Sequence, residues 1–353
     1  MARYVFLRLL RLLFALWLTI SGVFLLSRSL PSDIILQQLS VGEISVTTSS
    51  VAQQRMAEQR FRHRLGLDLP LFYFSPPAAD TSSARWQWHG TQNQYHQWMW
   101  QLLHGDLGRS YRDGQPVTAL LATALSYTLP LTTLAATFSI LLALWLATRL
   151  SVRQQLRPHV LRLLYALDAL PLFVLALLLL LLFANPDMLT WFPAYGLGEE
   201  AELVDASWLI RTSTLLYYLT LPLICLALVN LPHLVVQLDA ALQHERQATY
   251  AATARAKGAP EKQVVRHHTL RNALLPSLAQ LTDLLPALVA GAVVVEVIFA
   301  LPGVGRLLAE AAANHDYPVV LGGVLLTALV RLLAQFLTDS LYLVADPRIR
   351  LRV

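Results

Sequence analysis

Long uncharged apolar runs, separated by short polar segments, set the pattern of this 353-residue chain. The run ALLATALSYTLPLTTLAATFSILLALWLAT, residues 119–148, is longer than the roughly 18–20 residues that cross a bilayer core. The pattern predicts an all-α membrane protein with six transmembrane helices. They are expected at residues 7–27, 119–148, 160–184, 214–237, 274–298 and 319–344.

The first apolar run has two interpretations. Arg3, Arg8 and Arg11 stand before LLFALWLTISGVFLL, which also resembles a secretory signal. Ser27 and Pro31 follow the run. The serine is a poor cleavage signal, and we expect an uncleaved first helix.

Composition agrees with a membrane protein. Hydrophobic residues make up 56% of the chain and charged residues 14%, against roughly 25% charged in soluble domains. With six spans, the two ends of the chain and alternate loops between the spans lie on the same side of the membrane. These segments (1–11, 149–162, 239–275 and 346–353) hold sixteen basic residues and four acidic ones. Short cytoplasmic loops carry such an excess, so both termini are expected in the cytoplasm.

This orientation divides the chain into three parts. Residues 1–28 form the N-terminal helix, and residues 29–118 form a long external segment between helices 1 and 2. Residues 119–353 form a core of five helices, with a cytoplasmic loop at 239–275.

The cytoplasmic loop has the pattern of two short helices. YAATARAK is rich in good helix formers, Gly258 suits the end of a helix, and Pro260 suits the first turn of the next. A solvated basic loop that acts only as a topology signal is the alternative. Charge alone would not need the helix–glycine–helix order.

The loop also carries a family resemblance. TARAKG at 253–258 and RHHTLRNALLP at 266–276 resemble the coupling loop of ABC-importer permeases, above all B-type permeases of dipeptide and oligopeptide importers. Further segments resemble the family's signatures in the family's order. They are RLLRLLFALWLTISGVFLLSRSLPSD, LGLDLPL, GDLGRSYRDGQPV, VVVEVIFALPGVGRLL, HDYPVV and LYLVADPRIRL.

The resemblance implies a type I ABC-importer permease-like bundle that forms half of a pore for peptides. It implies these partners: a second, homologous permease subunit, two cytoplasmic ATPase subunits, an external substrate-binding protein and the bilayer of the bacterial cytoplasmic (inner) membrane. The implied contacts with the ATPase come from Ala254, Arg255, Lys257, Gly258, Arg266, His268, Arg271 and Asn272. No nucleic-acid partner is expected.

Catalytic motifs are missing from the sequence. Lys257 and Lys262 are its only lysines, and neither stands in a phosphate-binding loop. Cys225 is its single cysteine, and the adjacent His267 and His268 suit two helix faces better than one metal. We expect no enzyme activity, cofactor or metal in this chain, so energy must come from a partner or an ion gradient.

Ionisable residues inside the predicted spans allow a different function. Asp168, Asp283, Arg331 and Asp339 are costly in lipid and should face the bundle interior or water. They fit interhelical pairs, such as Arg331 with Asp168 or Asp283, or a lining of the peptide path. They would also serve as the relay of a proton-coupled secondary transporter. A non-transport membrane scaffold and an importer of nickel chelates remain further alternatives, and the sequence does not name the cargo.

Overall fold

The computed structural model describes residues 2–29, 68–75, 87–193, 196 and 207–345. Regular structure within them is helical, apart from two short strands that pair antiparallel. The elements are α1 (Ala2–Ser29), β1 (Phe74–Ser75), β2 (Gln87–Trp88), α2 (Gln94–Leu103), α3 (Val117–Val152), α4 (Arg157–Asp168), α5 (Leu172–Phe183), α6 (Trp208–Arg246), α7 (Thr249–Ala256), α8 (Glu261–Gln263), the π-helical segment π1 (Val264–Thr269), α9 (Leu270–Ile298), α10 (Val304–Ala313) and α11 (Tyr317–Ala345).

The six predicted spans fall on helical backbone, with a break in the third. Among the described residues, three segments are long and apolar enough to cross a membrane: Val117–Val152, Thr212–Arg246 and Tyr317–Phe336. A fourth counts if α4 and α5 are one broken span. The structure therefore shows an all-helical chain with three or four candidate spans, while the number six and the orientation stay predictions. The polar stretch 34–64 and the C-terminal residues 346–353 lie outside the described residues.

The third span differs from its prediction. A single helix was expected over 160–184, but α4 and α5 meet at an angle of 101°. Pro171 has extended backbone, with φ −59° and ψ 141°, and its ring disfavours helical geometry at Leu170. The break is specific to this position, because Pro130 and Pro222 lie inside helices that continue past them. The predicted third span is therefore a broken helix, with Pro171 at the break.

The chain divides into two compact units. The larger comprises residues 1–10, 121–310 and 326–353. Its core lies where α5, α6 and α9 pack together, with Leu175, Leu226 and Leu288 buried. At Gly291 a Cβ atom would stand 3.3 Å from Leu226 Cδ2, so α6 and α9 approach closely there. Small residues favour such packing in lipid, which supplies little hydrophobic drive between helices.

The smaller unit comprises residues 11–120 and 311–325. Phe24 of α1 is fully buried and stacks on Trp98 of α2, with ring centroids 4.7 Å apart. Ser21 Oγ and Tyr95 Oη lie 2.6 Å apart and share a hydrogen bond. The aromatic residues of the predicted external segment thus pack on the first helix. Trp88 and Trp100 remain largely exposed.

A buried aspartate joins two of the sequence signatures in this unit. Asp316 of HDYPVV is 4% exposed. Its carboxylate accepts hydrogen bonds from Ser110 Oγ at 2.5 Å and from the amide of Tyr111 at 3.0 Å. Both donors belong to GDLGRSYRDGQPV, 205–206 residues away. The carboxylate therefore fixes a turn of one signature against the start of α11.

A second buried carboxylate holds three elements of the larger unit together. Glu296, near the end of α9, is 1% exposed. It accepts hydrogen bonds from Thr128 Oγ1 of α3 at 2.6 Å and from the amides of Gly305 and Arg306 at 2.6 and 3.2 Å. Thr128 Oγ1 in turn accepts from the amide of Val304 at 2.9 Å. The carboxylate thus caps the first turn of α10, whose amides would otherwise lack partners.

Two glycines leave room for this carboxylate. A Cβ at Gly303 would overlap the carboxyl group of Glu296, and one at Gly305 would overlap the backbone of Val293. The close approach of α10 to the end of α9 therefore requires the two glycines of the PGVG sequence at 302–305.

We expect Gly303→Ala to lower the thermal unfolding midpoint of the purified protein. The added methyl must displace Glu296 from its donors, and overpacking of this kind costs about 1–3 kcal/mol. The matched control is Gly22→Ala, where a Cβ has no atom within 4 Å. Equal midpoints for the two variants would contradict the packing described around Glu296.

Candidate functional site

Helix α7 ends in a glycine cap. Gly258 has φ +86°, a backbone conformation that residues with a Cβ rarely adopt. Its amide donates to the Arg255 carbonyl at 2.9 Å, and the amide of Ala259 donates to the Ala254 carbonyl at 3.2 Å. These two bonds form a Schellman cap. Pro260 then begins α8, so the helix–glycine–helix order predicted from the sequence is confirmed.

The loop has a small core of its own. Ala251, Ala254 and Val264 are buried together, with Tyr250 and Ala259 packed against them. Ala254 thus packs inside the loop, while its contact with an ATPase stays a prediction. Its small side chain lets α7 lie against the start of π1.

An ion network fixes the loop to the end of α6. The Arg255 guanidinium donates to both carboxylate oxygens of Glu261, at 3.0 and 3.1 Å. Arg246 Nη2 lies 2.7 Å from Glu261 Oε1, and Arg246 also donates to the Ser151 carbonyl. Arg255 was expected to meet an ATPase, but the structure gives it a partner within the chain.

This network shifts the pKa of Glu261 below its ordinary value of about 4.5. The hydrogen bond from Arg255 is the main cause, the charges of Arg246 and Arg255 add to it, and burial opposes it. Because the pKa of Glu261 is lower in the folded state, the network stabilises the loop at pH values above the ordinary pKa of about 4.5. That contribution is lost as the pH falls through the folded pKa.

A tyrosine connects both ends of the loop. The Tyr250 hydroxyl donates to the Glu245 carboxylate at the end of α6 and accepts from Asn272 Nδ2 of α9 at 3.0 Å. Burial and the hydrogen bond to Glu245 raise the pKa of Tyr250. Asn272, predicted as an ATPase contact, therefore links α9 to α7 through Tyr250.

Sequence reasoning did not assign roles to Tyr250 and Glu245 because their contacts depend on the folded loop. A signal for Glu261 was present. It is the only acidic residue between Arg246 and Arg271, a stretch with six basic residues counting both ends. A lone carboxylate in such a stretch predicts an internal ion pair.

The other predicted loop residues are exposed. Lys257 follows α7, and Arg266 and His268 lie on π1, whose inner positions Val264, Val265 and Thr269 are buried. Arg271 is exposed at the start of α9. From residue 261 to residue 298 the backbone is helical without interruption, because α8, π1 and α9 follow one another directly. The loop is thus continuous with a predicted span.

The charged residues of the predicted spans do not meet as suggested. Asp168 ends α4 and Arg331 lies in α11, and both are exposed on this chain. No ion pair joins these two described side chains, and the pairing of Arg331 with Asp283 stays a prediction. Asp283 and Asp339 lie on helical backbone, but their side chains are outside the described residues. Among the residues described, no group of three or more His, Cys, Asp or Glu side chains could hold a metal ion.

Residues 139–351 match the family described as binding-protein-dependent transport system inner membrane component. The chain belongs to this family. The matched region runs from within α3 through the loop to the C-terminal signature. The chain is accordingly a multi-pass membrane permease subunit of a binding-protein-dependent, ABC-type transport system, and neither the secondary transporter nor the scaffold is favoured.

Several curated relatives extend the similarity to most of the chain. A putative peptide transport system permease protein of Brucella abortus (strain 2308) is 32% identical over 323 residues, covering 90% of this chain and 92% of the relative. The di/tripeptide transport system permease protein DppB of Pseudomonas aeruginosa (strain UCBPP-PA14) is 32% identical over 344 residues, 93% of this chain and 92% of the relative. The oligopeptide transport system permease protein AppB of Bacillus subtilis (strain 168) is 32% identical over 267 residues, 72% and 79% of the two chains.

We expect Glu261→Gln to speed amide hydrogen exchange across residues 249–258 at neutral pH. A partly exposed ion pair contributes about 1 kcal/mol or less, which corresponds to at most about a five-fold change. In the wild-type permease this protection should weaken below about pH 4.5, and in the variant it should not. Glu310→Gln, which removes a carboxylate that pairs with Arg306 elsewhere, is the control. Unchanged exchange in Glu261→Gln would show that the network does not hold the loop.

Proposed function

We propose that this permease subunit forms one half of the translocation pore of an ATP-driven peptide importer. Peptide cargo is supported by the names of the relatives, two of which are described as di/tripeptide and oligopeptide permeases. The same names give no support to nickel chelates. The proposed assembly contains a second, homologous permease subunit, two ATPase subunits and an external binding protein, in the bacterial cytoplasmic membrane.

The proposed topology is six spans with both termini in the cytoplasm. The excess of basic residues in alternate loops supports this topology, because short cytoplasmic loops carry such an excess. The exposed loop of α7, α8 and π1 then lies on the side of the ATPase. The segment 29–118 lies outside on this proposal, where the exposed rings of Phe74 and Trp88, 4.6 Å apart, would suit contact with a binding protein.

The uninterrupted helix from residue 261 to residue 298 is the observation that carries the coupling proposal. A movement imposed on α7 and α8 by closing ATPase subunits would pass into α9 without a flexible joint. The Glu261 network and the Tyr250 bridge would make α7 move with the ends of α6 and α9. Packed elements of this kind move as rigid bodies between discrete states.

The surface proposed for the ATPase is the exposed side of the cap. Lys257 and Gly258 lie at the end of α7, and His268 and Arg271 continue the exposed surface. A Cβ at Gly258 would have no atom of this chain within 4 Å. The permease alone therefore has space for a side chain there, and a loss of function beyond that caused by the strain at positive φ would come from a partner.

The coupling proposal predicts that Gly258→Glu abolishes the stimulation of ATP hydrolysis by cargo-loaded binding protein. A carboxylate without a partner in the interface costs several kcal/mol, so stimulation should fall about ten-fold or more. The measurement is ATPase activity in reconstituted membranes, with assembly checked by co-purification.

Gly258→Ala is the matched control for this measurement. It carries the same strain at positive φ, about 1–2 kcal/mol, without the bulk or charge of glutamate. We expect it to keep most of the stimulation. Wild-type stimulation in a fully assembled Gly258→Glu complex would mean that the loop is only a solvated topology signal.

The topology proposal predicts opposite results for two reporter fusions. A reporter fused after Val353 should be active only in the cytoplasm, since the final loop has three arginines and one aspartate. A reporter fused after Gly90 should be active only outside. Cytoplasmic activity at Gly90 would exclude the six-span arrangement.

A further inference from the structure

A basic cavity lies between the end of α3 and the second helix of the loop. Its volume is about 310 Å³, at the lower end of the usual range for ligand pockets. Arg149 lines it from α3 and Arg153 from the position directly after α3, while Lys262 and Arg266 line it from α8 and π1. Each pair is separated by four residues, so each helix turns two cations toward the same space.

The four cations of this cavity have no acidic partner among the described residues. Nearby arginines do have one: Arg157 pairs with Asp239 at 2.8 Å, and Arg246 and Arg255 share Glu261. Four unpaired cations around one cavity repel one another. An anion held between them would remove that repulsion and satisfy their N–H donors.

An exposed apolar stripe leads along α3 to the cavity. Leu134, Phe138, Leu141 and Trp145 recur at helical spacing and are 38–61% exposed. Trp145 also lines the cavity, and the Arg149 guanidinium lies 5.3 Å from the centroid of its ring. Tryptophan is enriched where hydrocarbon meets head groups, and arginine beyond it suits the head-group layer.

We infer that the cavity binds the phosphate of an anionic phospholipid, whose acyl chains lie along the stripe. The inference rests on the proposed topology, which puts this end of α3 at the cytoplasmic surface of the membrane. Basic pockets between helices on that side suit anionic head groups. The apolar stripe favours a lipid over a soluble anion, because it supplies a surface for chains that free phosphate lacks.

The position of the site gives the lipid a mechanical role. Arg149 lies in the last turn of α3, just beyond the predicted span, and Arg153 directly follows that helix, whereas Lys262 and Arg266 belong to the 239–275 loop. One phosphate between them joins the loop to the end of α3 at a place where the described residues supply no carboxylate. Arg266, first predicted as an ATPase contact, is thereby assigned to the lipid.

The test measures lipid bound to the full-length permease, together with whatever subunits co-purify. The protein is delipidated, exposed to phosphatidylglycerol or phosphatidylcholine, and examined by native mass spectrometry. We expect the wild type to prefer phosphatidylglycerol by at least about 25-fold, because about 1 kcal/mol from each of two cations corresponds to two factors of about five. Arg153→Gln should reduce it about five-fold, the factor that corresponds to about 1 kcal/mol per cation, and Arg153→Gln with Arg266→Gln should remove it.

Two controls separate lost charge from lost structure. Arg162→Gln removes an exposed arginine that donates to the Pro158 carbonyl of its own helix, and it should keep the preference. Arg153→Lys with Arg266→Lys keeps both charges and should retain most of it. Undiminished preference in the double Gln variant would overturn the inference, and so would an equal loss in Arg162→Gln.

Two further outcomes assign the cavity to another ligand. Displacement of phosphatidylglycerol by inorganic phosphate at equal concentration would favour a soluble anion and overturn the lipid assignment. Loss of ATPase co-purification in the double Gln variant with unchanged lipid binding would assign the surface to a subunit contact. Since the assay requires neither cargo nor ATP hydrolysis, its failure is distinct from a failure of the importer proposal.

Discussion

Backbone amides left free at helix ends must find acceptors, and buried carboxylates meet this requirement at two places in this permease. Glu296 accepts from the first turn of α10 and from a hydroxyl of α3. Asp316 accepts from a turn that precedes α3 in the smaller unit. Water is scarce near a membrane, so an amide without a partner there costs several kcal/mol. The shape of the helix connections therefore depends on a few acidic residues. Gly303 and Gly305 allow the connection at Glu296, because they leave space that a methyl group would fill.

The cytoplasmic loop also satisfies its helix end and its charges within the chain, but there the groups are partly exposed. Its first helix ends in a Schellman cap, which satisfies carbonyls that would otherwise be open. Glu261 then draws in two arginines, one from α6 and one from α7. Each pair alone would be weak because it is partly exposed. Together with the Tyr250 bridge they fix the loop at several points. Rigidity of this kind comes from the geometry of several contacts rather than from the strength of one, and a coupling element requires it.

Sequence alone was sufficient for the helical fold, the family and the glycine cap, because each depends on a local pattern. Apolar runs predict spans whatever their partners, and Gly258 predicts a cap from its own backbone freedom. The presence of Pro171 in an apolar run shows where a helix can break, but the size of the bend depends on what the next helix packs against. Contacts over long separations were not predictable. Tyr250 meets Asn272 across 22 residues, and Asp316 meets Ser110 across 206. The pair of Arg255 with Glu261 differs from these, because it spans six residues and the lone carboxylate of the basic stretch signals it.

The basic residues of the predicted cytoplasmic side divide into two groups with different physics. Arg157 pairs with Asp239, and Arg246 and Arg255 share Glu261, so most of their charge is compensated within the chain. Arg149, Arg153, Lys262 and Arg266 keep theirs and concentrate them around one cavity. A topology signal needs only the number of positive charges, to which both groups contribute. The uneven distribution of carboxylates therefore reflects a second requirement, namely that some cations hold the chain together while others stay available to an anion from outside it.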